Sequence, residues 1–255
     1  MSVRRAVALG AFALAMLTLG EEAPGQEPVT PAPAPAHAQA PTQLLTLTIG
    51  HSVEGRPIVA HELGDPNATR TALVVGVIHG DEPVGLRITR RLRNQFSGIK
   101  GVKLWVIDTV NPDGVAAHRR TNAHLVDLNR NFPYLWHSGP HDGYYPGTGP
   151  LSEPESRATH DFIEQIQPQF SVWYHQPWNA VLKPCHGPAP IQKRYARIAQ
   201  MQTSCRGEGL PGTAINWENH TFPGTTAMVV ELPPGHVAKR LIRSNALAAA
   251  TLAAP

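Results

Sequence analysis

His79-Gly80-Asp81-Glu82 places an imidazole and a carboxylate three residues apart, directly after the apolar run 72–78. Alone, a His-x-x-Glu spacing says little, because the carboxylate also suits the start of a helix. Two further groups change its weight. His175 terminates the apolar run 170–174, and Glu231 ends 226–231. Four ionisable groups at three strand ends are hard to explain as packing, since a buried carboxylate is destabilising by several kcal/mol unless paired, protonated or metal-bound. Open α/β sheets gather ligands at the carboxyl ends of strands.

His79, Glu82 and His175 together make a two-histidine, one-carboxylate donor set, which leaves the fourth tetrahedral position of a zinc ion open to water. One Zn2+ per chain would lower the pKa of that water toward ~7 and polarise a carbonyl. A separate carboxylate must then take the proton and pass it to a leaving amine. Glu231 is assigned that role.

These groups need a scaffold, and the chain supplies one. Short apolar, β-branched runs at 44–49, 57–63, 72–78, 102–108, 170–174 and 226–231 predict strands. Apolar residues at three and four spacing predict helices over 83–96, 153–166, 191–201 and 236–252. Ser152 and Glu155 have the spacing of a capping box at the second of these. Strands alternating with helices predict an α/β, single-domain three-layer sandwich, with a mixed, mostly parallel sheet covered by helices on both faces. The stretch 110–150 breaks the rhythm: it is long, polar and rich in turn residues. A loop of that length in a compact domain points to function.

At 255 residues and 42% hydrophobic, the chain has material for one domain with a sizeable core, and its composition excludes a disordered protein. The formal charge of +3 comes from scattered Lys and Arg, without the basic blocks that accompany nucleic acid. Residues 1–25 have the form of an export signal, with Arg4 and Arg5 before an apolar run too short for comfortable bilayer spanning. Residues 26–43 are Pro- and Ala-rich and are expected to be a tether, leaving 44–255 as the folded domain. The expected location is secreted, periplasmic or cell-wall associated, with no stable membrane insertion after signal removal. Cys185 and Cys205 are the only two cysteines. In an oxidising compartment they are expected to form a disulfide, closing a loop of about 20 residues for roughly 3 kcal/mol.

The ordered set of short segments is similar to the zinc carboxypeptidases of the carboxypeptidase A type, especially their short bacterial branch of murein peptide amidases. The segments are His79-Gly80-Asp81-Glu82, Asn111-Pro112-Asp113-Gly114, Arg120-Thr121-Asn122, and Asp127-Leu128-Asn129-Arg130-Asn131-Phe132-Pro133. Ser152-Glu153-Pro154-Glu155, His175 and Glu231-Leu232-Pro233 follow in the same order, and the resemblance covers about residues 45 to 250. It implies His79, Glu82 and His175 as metal ligands and Glu231 as general base and acid. It also implies Arg120 as the group that stabilises the tetrahedral oxyanion, with Arg119 as a competing match. Asn129 and Arg130 would hold the substrate's free carboxylate.

Digestive members of that family carry a mobile tyrosine between the third ligand and the catalytic Glu, whereas here the interval holds only Tyr195, in a predicted helix. The resemblance therefore implies a peptidase or peptide amidase rather than a digestive trimming enzyme. Its expected substrates are peptides or muropeptides, and the bond a D-glutamyl to diaminopimelate amide. Residues 216–224, with Trp217, Glu218, His220 and Phe222, are expected to build the substrate wall. Two other readings remain open. One is an N-acylamino-acid deacylase similar to succinylglutamate desuccinylase or aspartoacylase, whose relatives usually carry an acid where this chain has Trp173. The other is a non-catalytic wall-binding module.

Overall fold

The computed structural model describes residues 45–206 and 209–255. The expected signal and tether lie outside them. Eight strands form one mixed sheet: β1 (Thr46–His51), β2 (Pro57–Gly64), β3 (Thr71–Val75), β4 (Lys103–Ile107), β5 (Phe170–His175), β6 (Ala180–Leu182), β7 (Gln202–Ser204) and β8 (Thr226–Glu231). Their order is β1-β2-β4-β3-β5-β8-β6-β7. The centre, β4-β3-β5-β8, is parallel, and antiparallel pairs flank it.

Side chains alternate across this sheet, so each central strand feeds two cores. Ala72, Val74, Val172 and Tyr174 pack on one face against α1 (Gly85–Gln95), α4 (Pro190–Ala199) and α6 (Lys239–Ala253). Leu73, Val75 and Trp173 pack on the other with Phe162 of α3 (Pro154–Ile166) and Trp217 of α5 (Ala214–Thr221). The expected three-layer α/β sandwich is thus observed. No helix among the described residues is long and apolar enough to cross a membrane.

The connectivity decides where a site can form. After β3 the chain crosses through α1 to β4 on one side, and β5 later adds on the other. The topological switch point therefore lies between β3 and β5, and a crevice opens outside their carboxyl ends.

Several expectations need correction. β6, β7, α2 (Pro112–Ala117) and α5 were not foreseen. The Ser152/Glu155 capping box does not form: Glu153 is the N-cap of α3, without a side-chain cap bond. Ser152 Oγ instead engages Asn131 Nδ2 and Glu153 Oε1, while Glu155 accepts from Val53 N and Asn122 Nδ2. The expected disulfide is not confirmed: Cys185 and Cys205 lie near each other, with Cys185 Sγ 3.1 Å from the Cys205 carbonyl oxygen.

Candidate metal centre and substrate cavity

Strand β3 stops at Val75, and the chain runs on through 76–78 tied to its neighbour by Gly76 N to Ile107 O and Val110 N to Val77 O, each 2.9 Å. His79 then emerges at the switch point. Asn111 caps α2 by accepting from Gly114 N at 2.9 Å, and its own amide nitrogen reaches Ile78 O and Arg120 O. One asparagine thus ties the backbone before His79 to the backbone of Arg120. The approach is so close that a Cβ on Gly80 would lie 1.9 Å from the Gly114 carbonyl carbon. That contact explains Gly80, and Gly114 is explained by Asn111, whose Nδ2 would lie 2.4 Å from a Cβ there.

His79, Glu82 and His175 come together with donor atoms all within 4.8 Å of one another. His175 Nδ1 lies 3.1 Å from His79 Nδ1 and 3.0 Å from Glu82 Oε2, and His79 Nδ1 lies 3.1 Å from Glu82 Oε1. Two imidazole nitrogens facing each other at that distance cannot both carry a proton, an arrangement that suits two lone pairs directed at one cation. Two buried imidazoles and one carboxylate are the donor chemistry of a zinc site with an open position.

Asp127 is fully buried behind this cluster. Its Oδ1 meets His79 Nε2 at 3.1 Å and accepts from Asn129 N at 2.9 Å. Its Oδ2 accepts from Arg120 Nε and Nη2 at 3.0 and 2.9 Å. A ligand histidine whose far nitrogen is held by a carboxylate is fixed in tautomer and orientation. Burial alone would push the Asp127 carboxyl up, but the charge and hydrogen bond of His79, then Arg120 and Arg130, hold it well below the usual range. For His79, burial acts downward, but Asp127 and Glu82 together outweigh it, so the ring's pKa rises. For His175 burial dominates and the shift is downward. Burial also pushes Glu82 up, yet hydrogen bonds from both histidines leave it strongly depressed.

Glu231 stands beside His175 but outside the donor cluster. Burial first, and the negative charge of Glu82 second, push its carboxyl up to about 7. A carboxylate poised there exchanges protons readily near neutrality.

His79, Glu82, His175 and Glu231 open into a cavity of about 630 Å³, with Asp127 enclosed behind them. Arg120, Asn129 and Arg130 line it, and Arg119 does not. Asn129 Oδ1 accepts from Ala214 N at 3.1 Å, which leaves its amide nitrogen as the group able to donate to a ligand. Asn216, Asn219, Lys183 and Arg206 also line the cavity. Of residues 216–224 only Asn216 and Asn219 reach it, which corrects the expected substrate wall. The segment is the helix α5, so Trp217 and Glu218 face the core instead, and Phe222 packs against Trp217. His220 stacks on Tyr134 with ring centroids 4.0 Å apart. Tyr195 is fully buried, its hydroxyl bonded to Tyr174 and Asn245, and takes no part in the site. The contribution of Asp127 and Tyr144 was not foreseen; only the position of Asp127 inside an ordered segment signalled it.

Comparison with known proteins agrees with this geometry. The zinc carboxypeptidase family matches residues 35–199. Murein peptide amidase A of Escherichia coli K12 is 33% identical over 183 residues, covering 66% of this chain and 74% of that protein. Carboxypeptidase SOL1 of Arabidopsis thaliana is 31% identical over 145 residues, which span 50% of this chain and 28% of that protein. Among solved structures, the murein-tripeptide amidase of Escherichia coli O157 superposes with a TM-score of 0.68 at 26% identity, over 80% of this chain and 91% of that one. A carboxypeptidase A from Helicoverpa armigera, 18% identical with a TM-score of 0.68 over 82% of this chain and 69% of that one, shares the fold. With a buried His-Glu-His donor set at the switch point of this sheet, the chain belongs to the zinc carboxypeptidase family and is a zinc-dependent hydrolase.

Proposed function

We propose that the protein is an exported murein peptide amidase that cleaves the amide between D-glutamate and diaminopimelate, releasing a residue with a free carboxylate. The observation that carries this reading is the charge distribution along the cavity. Among the described residues its only acids are Glu82 and Glu231, at the metal centre, while Arg120, Arg130, Lys183 and Arg206 line the rest. Such a lining disfavours a leaving residue whose side chain is solely cationic and favours one bringing more than one carboxylate. The likeness to the murein amidases supports the same substrate.

Zinc held by His79, Glu82 and His175 would supply a Lewis acid for the scissile carbonyl and lower the pKa of water. Glu231 takes a proton from the attacking water and delivers it to the leaving amine, two transfers that suit a carboxyl displaced toward neutrality. Arg120, oriented by Asp127, stabilises the developing oxyanion, a contribution of ~3 to 4 kcal/mol for one well-aimed group. Arg130 grips the free carboxylate through two parallel N–H groups, with Asn129 beside it. Export would also place Cys185 and Cys205 where a disulfide can form, joining the two segments that bear Lys183 and Arg206.

Mass spectrometry of products from a mixed pool of muropeptides and ordinary C-terminal peptides, with and without a chelator, tests the reading. Release of diaminopimelate from the tripeptide, abolished by chelation, is expected. No mass change in muropeptides while ordinary peptides are trimmed would exclude it.

A further inference from the structure

The interval between His175 and Glu231 supplies no tyrosine to the cavity, yet Tyr144, from outside that interval, lines it. Tyr144 is 60% exposed, unusual for a large aromatic, and lines the main cavity beside Arg120 and Arg130. The Arg120 guanidinium carbon lies 4.9 Å from the centre of its ring, and that of Arg130 lies 5.8 Å away. Both distances are within the range in which a ring face attracts a cation. Tyr144 and Arg130 also line a second, smaller cavity of about 170 Å³, so their contact forms part of the wall between the two spaces.

The ring is held there by its own segment. Tyr144 N donates to Asp142 Oδ1 at 2.8 Å, and the next carbonyl, Tyr145 O, accepts from Asp127 N at 2.8 Å. Tyr145 in turn stacks on His141 with centroids 3.7 Å apart. Asp127 therefore fixes Arg120 through its side chain and the tyrosine segment through its backbone. The phenol hydroxyl makes no hydrogen bond among the described residues, so the contact belongs to the ring.

We propose that Tyr144 is a positioning residue that acts through Arg120 and Arg130. Its ring covers both guanidiniums, fixes their relative orientation and shields them from water and salt, so that one can meet the oxyanion and the other the free carboxylate. The inference rests on the roles given above to those two arginines. It does not depend on which leaving residue the enzyme prefers.

The test compares zinc-loaded wild type with Tyr144→Ala and Tyr144→Phe on two probes: the tripeptide L-alanyl-γ-D-glutamyl-diaminopimelate and an N-blocked dipeptide with a free C-terminus. Tyr144→Ala is expected to lower kcat/KM by about tenfold, the size of one well-shielded cation–π contact. The loss should be shared between a higher KM and a lower kcat, KM should become more salt-dependent, and the melting temperature should stay unchanged. Tyr144→Phe is expected to stay within about twofold of wild type. An alanine variant as active as wild type, a phenylalanine variant as impaired as alanine, or a loss that tracks a fall in melting temperature would each overturn the proposal. If wild type cleaves the dipeptide but not the tripeptide, the amidase reading fails and the comparison is made on the dipeptide. A wild type that cleaves neither overturns both.

Discussion

His175 and Glu231 occupy the same register position at the carboxyl ends of the neighbouring parallel strands β5 and β8. The backbone thus delivers a metal ligand and a proton-transfer group side by side, while only the first joins the donor cluster. Glu231→Gln should keep about one zinc per chain and lower kcat by roughly 10²- to 10⁴-fold. Metal analysis alongside turnover checks this, and a variant that loses zinc in parallel with activity would make Glu231 a ligand instead.

Asp127 joins the metal site to the oxyanion group, because one oxygen holds His79 and the other holds Arg120. Asp127→Asn keeps the shape but removes the charge and half of the acceptor capacity. Zinc affinity should fall roughly 10- to 100-fold, as for other carboxylates behind a ligand histidine. Activity should remain reduced even at saturating zinc, since Arg120 loses its two-point anchor. A competition titration against a chelator, followed by assay with zinc in excess, separates the two effects.

The parts of this site that can be read from sequence are those where local pattern and chemistry coincide. His79, His175 and Glu231 follow apolar runs long enough to register as strands, and a charged group closing such a run is conspicuous. Other features depend on distant partners. Asp127 is 48 residues from His79, and nothing nearby in the sequence marks the contact. The strands β6 and β7 have three residues each, too short for a period-2 pattern to emerge. In α5 the polar residues Asn216, Glu218, Asn219 and His220 mask the helical period, so its sidedness shows only once β8 is beside it. The Ser152/Glu155 pair had the spacing of a cap, but Asn131 and Asn122 compete for its polar atoms.

Removing the metal should affect stability as well as activity. Without a cation, His79, Glu82 and His175 bring three polar groups into one largely buried cluster. Zinc at about 100 times its Kd should stabilise the fold by about 2.7 kcal/mol through linkage. A thermal melt with chelator, then with zinc restored, should show the midpoint falling and recovering together with activity. His175→Ala should show no recovery at the zinc concentration that restores wild type.

Glu218 is a buried carboxyl with a different consequence. It sits under β5, accepting from Trp173 Nε1 at 2.7 Å, and is fully enclosed. Burial pushes its pKa up from 4.5 to about 7, with Ser171 and Trp173 offsetting only part of the rise. In the folded chain it keeps its proton over that interval, whereas in the unfolded chain it has already released it. The unfolded state therefore binds fewer protons between these limits, and stability falls as pH rises from about 4.5 to about 7, then levels off. The full span corresponds to roughly 3 kcal/mol. Glu218→Gln retains an acceptor for Trp173 without a titrating proton, so its stability should lack this component. Denaturant unfolding of both proteins between pH 5 and pH 8 measures the difference. A gap between wild type and variant that does not change with pH would show that Glu218 is already ionised in the fold.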